Sequence, residues 1–207
     1  NLCGHNVTIF LLPGVKKIPT TLHQKTFAIN DFYRSNANGQ SPLGIMQASG
    51  QIAIWKYFHT KYEKLIKLIS SRSISCFTMS EICPTQENRV TIDKKGNPIV
   101  AFQTNNLTTK KNLRSIFKKI FRKAGYWSVI SYGVEKPWHL SGSLCFGNDP
   151  KTSVLNKWNK MHDVENLYVV DSCFLPSVGA MNTSLTIMAQ ALRVGDHINE
   201  ELNKMPS

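Results

Sequence analysis

The residues that could do chemistry gather in the last third of this chain. Asn166–Asp171 (N-L-Y-V-V-D) is a short apolar run closed by a carboxylate. That is the pattern of a buried parallel strand with its polar residue at the carboxyl end, where open α/β sheets take their ligands. A loop, Ser172–Asn182, leads into a helical segment, Leu185–Leu202, with Thr183 or Ser184 as its N-cap. Together they would form a β-loop-α unit whose helix start, with its uncapped N–H groups, suits an anion or a partial negative charge. His139 stands in a second glycine-bearing stretch, W-H-L-S-G-S-L-C-F-G-N at Trp138–Asn148. An imidazole with a pKa of ~6.5 suits proton acceptance near neutrality, although a single His beside a Trp is ordinarily a structural residue.

The elements that must position these residues follow from periodicity. Residues 6–12 (N-V-T-I-F-L-L) read as a strand stopped by Pro13-Gly14, and Lys25–Tyr33 as another. Asn36–Pro42 is a polar turn cluster, and Gln51–Ile69 carries apolar residues at three- and four-residue steps, the signature of one helical face. Arg89–Asp93 and Pro98–Phe102, joined by Lys94-Lys95-Gly96-Asn97, read as a hairpin. Thr109–Ala124 is a periodic helix with Leu113, Ile116, Phe117, Ile120 and Phe121 on one side and Gly125 as its stop. The final helix is apolar around most of its circumference, so burial is expected for it. The composition shifts near Pro137, from a Lys-rich antiparallel pattern to a Gly/Ser-rich and then parallel-type one.

Composition bounds the function classes. The chain has 207 residues, 42% hydrophobic and 18% charged, with a formal net charge of +12. Ten Phe, four Trp and six Tyr are too many for a disordered chain. The longest apolar runs, Val7–Pro13 and Leu167–Val170, fall far short of the ~20 residues that span a bilayer. Much of the positive charge lies on Thr109–Ala124, as Lys110, Lys111, Arg114, Lys118, Lys119, Arg122 and Lys123. A solvated outer face accounts for it better than a polyanion site, so nucleic acid is not the expected partner. Five widely spaced cysteines without a C-x-x-C pair argue against a disulfide framework and a zinc knuckle, and no metal site is expected. The compartment stays open.

In the last third the motifs become recognisable. W-H-L-S-G-S-L-C-F-G-N-D-P-K-T-S-V-L-N (Trp138–Asn156), M-H-D-V-E-N-L-Y-V-V-D-S-C-F-L-P-S (Met161–Ser177) and G-A-M-N-T-S-L-T-I-M-A-Q-A-L-R-V-G-D-H-I (Gly179–Ile198) closely resemble the C-terminal portion of the glucose-methanol-choline (GMC) flavin-dependent oxidoreductases. N-L-C-G-H at Asn1–His5 is similar to the family's link from flavin domain to substrate domain. E-N-R-V-T-I-D at Glu87–Asp93 is similar to a strand of the substrate-domain sheet.

The resemblance implies an α+β and α/β architecture. An antiparallel sheet backed by helices forms the substrate domain, and the last strand and helix belong to a parallel-sheet flavin domain. It implies that 1–5 ends the link, 6–136 is the substrate domain, and 137–207 returns into the FAD-binding domain with the catalytic residues. It further implies FAD as cofactor, a small-molecule alcohol as substrate, and an N-terminal FAD-binding segment of the same protein as the partner that completes the site. His139 falls on the family's proton-accepting base and Asn182 on its hydrogen-bonding companion. Asp171 and Ser172 fall along the ribityl-pyrophosphate, and Asn182, Thr183 and Ser184 near the flavin ring. His5 matches a structural or flavin-adjacent position; His162 and His197 read as structural or surface residues, and Cys145 and Cys173 as packing residues.

Departures from the family pattern are specific. The H-x-x-G-T-x-R-x-G form appears with Ser143 for Thr and Cys145 where Arg is frequent, and Thr183 replaces the Pro that follows the Asn. No G-x-G-x-x-G occurs, so the phosphate-cradling turn of a flavin domain is absent from these residues and the chain is expected to be the rear part of a longer protein. A non-redox lyase on the same scaffold, and a binding module using the basic helix, are the competing readings.

Overall fold

The computed structural model describes residues 1–18, 25–34, 42–50 and 61–204. Its elements in chain order are β1 (Cys3–Pro13), β2 (Ala28–Ile29), β3 (Ile45–Gly50), α1 (Glu63–Ser71), β4 (Ser73–Ile82), β5 (Arg89–Ile92), β6 (Pro98–Ala101), α2 (Leu107–Lys123), β7 (Ile130–Gly133), β8 (Trp138–Ser141), a 3-10 turn (Ser172–Phe174) and α3 (Ser184–Lys204). They form two compact units. The first comprises Asn1–His5, Glu81–Asn105 and Pro137–Ser207, the second Asn6–Ser80 and Asn106–Lys136.

In the second unit the apolar run of β1 has become a strand buried on both faces, only Ile9 and Pro13 being half-buried. A central position fits this pattern, and the strand order is β2-β3-β4-β1-β7. The pairs β2/β3, β3/β4 and β1/β7 are antiparallel, with Phe10 opposite Ser131 and Ala48 opposite Cys76. Helix α2 lays Leu113, Phe117 and Phe121 onto Phe10, Leu12, Met46 and Cys76, forming the core of this unit. Each large side chain so buried contributes about 1.5–3 kcal/mol.

The basic face of α2 is not wholly solvated as expected. Lys110 Nζ donates to the Val134 carbonyl (2.8 Å), and Arg114 donates to both the hydroxyl (2.9 Å) and the carbonyl (2.8 Å) of Ser131. Two of its cations therefore fasten α2 to β7 and the residue beyond it.

The end of α2 follows the sequence. Gly125 adopts φ +92°, Tyr126 N–H bonds the Phe121 carbonyl (3.1 Å) and Gly125 N–H the Arg122 carbonyl (3.1 Å). These are the two reverse bonds of a Schellman cap. A Cβ at Gly125 would meet no atom within 4 Å, so Gly125→Ala tests the backbone alone. It is expected to lower stability by about 1–2 kcal/mol, read from denaturant midpoints.

The helix expected over Gln51–Ile69 is present as α1 from Glu63; residues 51–60, like most of the turn cluster at 36–42, lie outside the described residues. The strand expected over Lys25–Tyr33 shrinks to Ala28–Ile29. Asn30 and Asp31 favour a turn over a ladder, and Tyr33 N–H closes that turn on the Asn30 carbonyl at 2.9 Å.

In the first unit the predicted hairpin forms as β5/β6 in an isolated two-stranded sheet, so β5 does not join the larger sheet as its motif suggested. The Asp93 carboxylate accepts from the Lys95 and Asn97 N–H groups (2.8 Å each) and supplies the turn. Buried Asn88 clips the hairpin's base, donating to the Gln103 carbonyl (3.0 Å) and accepting from Gln103 N–H (2.6 Å).

Two expectations are corrected in this unit. Asn166–Asp171 is not a parallel strand: it makes one antiparallel bridge, Lys160 to Tyr168. Its polar groups are taken locally instead. Asn159 Nδ2 donates to the Val169 carbonyl (2.8 Å), Val169 N–H bonds the Asn159 carbonyl (2.9 Å), and Met161 N–H bonds the Leu167 carbonyl (2.9 Å). Helix α3 is not buried all round either. Ile187 packs on the Leu155, Phe174 and Leu175 cluster, while Leu185, Met188 and Leu192 remain exposed, Leu185 at 76%. Apolar residues around a helix fix how many faces want cover; here only one receives it among the described residues.

Candidate active site

His139 occupies an irregular strand. Antiparallel β1 and β8 pair Cys3 with Ser141 and His5 with Trp138, a step of two residues on one strand against three on the other. The extra residue is a bulge, a device that re-aims side chains. Within it His139 adopts φ +53°, a left-handed conformation that costs a non-glycine residue about 1–2 kcal/mol. Strain of this kind persists where the surroundings over-determine it, as at functional sites.

The bulge turns the His139 ring onto His5. The two Nδ1 atoms are 3.0 Å apart, and the rings meet edge-to-face with centroids 5.0 Å apart. His5 is fully buried, whereas His139 is exposed. On its other side His5 Nε2 lies 3.4 Å from the Val178 carbonyl oxygen.

That carbonyl is itself held. Met181 N–H bonds it at 3.2 Å, closing a turn whose central residues, Gly179 (φ +55°) and Ala180 (φ +51°), are both left-handed. The Glu81 carboxylate receives the Ser177 hydroxyl and, at 3.3 Å, the Gly179 N–H. One chain of contacts thus runs from Glu81 through the 177–181 turn and His5 to His139.

Burial, and after it the neighbouring His139 ring, push His5 down to about 4 against the opposing effect of the Val178 carbonyl. A histidine whose folded pKa lies below its unfolded value of 6.5 leaves the native state with fewer bound protons. Its stabilising contribution is therefore complete above that value and is lost as pH falls toward the folded pKa. At pH 5 the chain is expected to be about 2 kcal/mol less stable than at pH 8 on this account. Denaturant midpoints at the two pH values check it, and His5→Asn should flatten the difference.

The remaining predicted residues lie around this chain of contacts. Asp171, exposed, caps the 3-10 turn by accepting from Cys173 N–H at 2.7 Å. Ser172 donates to the Leu140 carbonyl (3.0 Å), and its own carbonyl accepts from Gly142 N–H (3.3 Å). The structure thus brings Ser172 against the segment that carries His139, with Asp171 one residue before it. Asn182 and Thr183 are half-buried just before α3, Ser184 opens it, and Ile187 N–H bonds the Thr183 carbonyl at 3.0 Å. The first turn of α3 holds no acidic residue.

Several other candidates are accounted for structurally. His162 Nε2 contacts the Ser153 hydroxyl (3.2 Å) and the Gly147 carbonyl (3.1 Å), while His197 stacks on Trp158 at 4.1 Å. Burial raises the Cys3 thiol to about 11 and, with the nearby Asp171, raises that of Cys173. Neither is an activated nucleophile. Among the described residues no group of three His, Cys, Asp or Glu could hold a metal ion, and no helix is long and apolar enough to cross a membrane. The residue that sequence reasoning undervalued is His5. Its partner lies 134 positions away, and only the bulge reveals the pairing.

With this geometry in hand, the comparisons with known proteins converge. Residues 118–191 match the GMC oxidoreductase C-terminal family model. Over 167 residues the chain is 32% identical to 2-methyl-1,2-propanediol dehydrogenase of Mycolicibacterium austroafricanum, covering 75% of this chain and 30% of that protein. It is 34% identical over 121 residues to paromamine 6'-oxidase of Streptomyces fradiae, covering 53% and 22%. The solved structure of pyridoxine 4-oxidase from Mesorbium loti superposes with a TM-score of 0.56 over 95% of this chain and 43% of that one, at 16% identity. It shares the fold, an antiparallel sheet with helices. The chain belongs to the GMC oxidoreductase family. It spans less than a third of the length of these two curated relatives.

Proposed function

We propose that this chain is the substrate-domain and C-terminal portion of an FAD-dependent oxidoreductase acting on an alcohol, with His139 as the proton-accepting base. The observation that carries the reading is His139 itself: a strained, exposed imidazole on a bulge, hydrogen-bonded to a buried partner, inside the segment that matches the family. Curated relatives named as an alcohol-type dehydrogenase and an oxidase support the substrate class.

The residues present fit the cofactor. The first turn of α3 holds no acidic residue, so the helix start at Asn182, Thr183 and Ser184 suits a flavin edge that gains negative charge. The Asp171 carboxylate, which accepts from Cys173 N–H, suits a ribityl hydroxyl, and Ser172 stands beside it. Bound FAD would supply the hydride acceptor. The chain's own contribution is to orient the substrate oxygen through Asn182 and to take its proton on His139. On this reading the exposed Leu185, Met188 and Leu192 face of α3 is covered by the family's FAD-binding segment, and residues 6–136 and 137–207 are its substrate domain and its return into the flavin domain.

Anaerobic mixing of the full-length flavoprotein with a panel of primary and secondary alcohols tests this directly. Bleaching of the flavin absorbance by at least one alcohol is the expected result, and a protein that turns its substrate over with the flavin permanently oxidised is a lyase instead.

A further inference from the structure

An imidazole base has two nitrogens, and its ring partner decides which of them carries the lone pair. Here that partner is His5. A contact of 3.0 Å between two Nδ1 atoms holds one hydrogen, so one ring donates and the other accepts. The choice is made on the far side of His5. Its Nε2 faces the Val178 carbonyl oxygen at 3.4 Å, and a carbonyl oxygen only accepts. A lone pair on Nε2 would point at another lone pair, so the hydrogen of His5 sits on Nε2. Neutral His5 has a single N–H, which leaves its Nδ1 as an acceptor. His139 must then donate from Nδ1, and its own lone pair resides on Nε2.

We propose that His5 is a positioning residue that locks His139 in the Nδ1–H tautomer and makes Nε2 the proton-accepting atom. This rests on the reading of His139 as the base. Glu81 takes part at one remove, because it anchors the Ser177–Gly179 turn whose Val178 carbonyl orients His5. In the proton-transfer step the substrate O–H bond breaks, its electron pair stays on oxygen, and an N–H bond forms at His139 Nε2. The resulting imidazolium still donates from Nδ1 to His5, so the contact survives and strengthens as charge develops.

The test is the ring-nitrogen spectrum of His139 in the 15N-histidine-labelled full-length protein at pH 8, assigned by its loss in His139→Gln. The wild type is expected to show a protonated Nδ1 and an unprotonated Nε2. His5→Asn, whose side-chain oxygen can accept near the old Nδ1 position, should keep that signature; His5→Leu should shift population to the Nε2–H form. In parallel, kcat should fall roughly 10- to 100-fold in His5→Leu with little change in KM, and recover largely in His5→Asn. A wild-type His139 protonated at Nε2 overturns the proposal without any variant, which covers the case of a His5→Leu protein that does not fold. A folded His5→Leu with the wild-type signature and turnover overturns it as well. If His139→Ala retains full activity, the assignment of the base fails even where the tautomer is as expected. If His139→Ala is inactive and wild-type His139 carries Nε2–H, only the role of His5 fails.

Discussion

Replacing His139 with alanine should slow flavin reduction by alcohol about 10²- to 10⁴-fold, the range a positioned general base supplies. The measurement is the rate of flavin bleaching after rapid anaerobic mixing of the full-length protein with substrate. The fold of this chain offers an unusual control on that experiment. His139 stands at φ +53°, where any side chain with a Cβ is strained and glycine is not. His139→Gly should therefore lose as much turnover as His139→Ala while regaining about 1–2 kcal/mol of backbone strain, partly offset by glycine's greater freedom when unfolded. A variant that loses activity without losing stability identifies a residue kept for chemistry, since folding alone would have selected against histidine here. Near-wild-type bleaching in both variants would remove His139 from the reaction and leave the strained bulge without a purpose.

What could be read from the sequence divides along physical lines. Local patterns with a strong period, such as Leu113, Phe117 and Phe121 on α2 or the Lys94–Asn97 turn between β5 and β6, appear where expected because neighbours in sequence suffice to fix them. Positions that depend on a partner elsewhere behave differently. Asn166–Asp171 has the composition of a parallel strand, but composition states a preference for burial between neighbours and cannot supply the neighbours; here the run is tied to Asn159 instead. The apolar circumference of α3 carries the same ambiguity, with Ile187 covered and Leu192 72% exposed. The candidate site shows the limit most clearly. His139 stands out through its motif, whereas His5 reads only as a structural or flavin-adjacent position. The contact between them depends on a two-against-three step in the β1/β8 register, which no periodicity encodes. A left-handed histidine is invisible in sequence because the signal for positive φ is glycine, and here the position is filled by a histidine instead.

The same segment yields the second large effect, at Gly142. Both Gly142 (φ +81°) and Gly125 (φ +92°) are left-handed, yet their surroundings differ. A Cβ at Gly125 would enter open space, while one at Gly142 would lie 2.6 Å from the Asn1 carbonyl oxygen, 3.0 Å from that of Leu175 and 3.1 Å from Cys3 Sγ. Two of those atoms belong to backbone and cannot swing aside as a flexible side chain would. Gly142→Ala should therefore cost the left-handed penalty of Gly125→Ala plus that of overpacking, about 2–5 kcal/mol in all. The damage should also be local to the site. Gly142 N–H bonds the Ser172 carbonyl at 3.3 Å, and Leu175 stands three residues before Val178, so moving either backbone disturbs the turn that orients His5. Denaturant unfolding of the two alanine variants side by side decides the matter. Equal losses would mean that only φ matters and that the close approach is unimportant; a larger loss at Gly142, accompanied by weakened flavin reduction in the protein that remains folded, would mean that the glycine three residues after His139 lets two backbones meet where His139 is held.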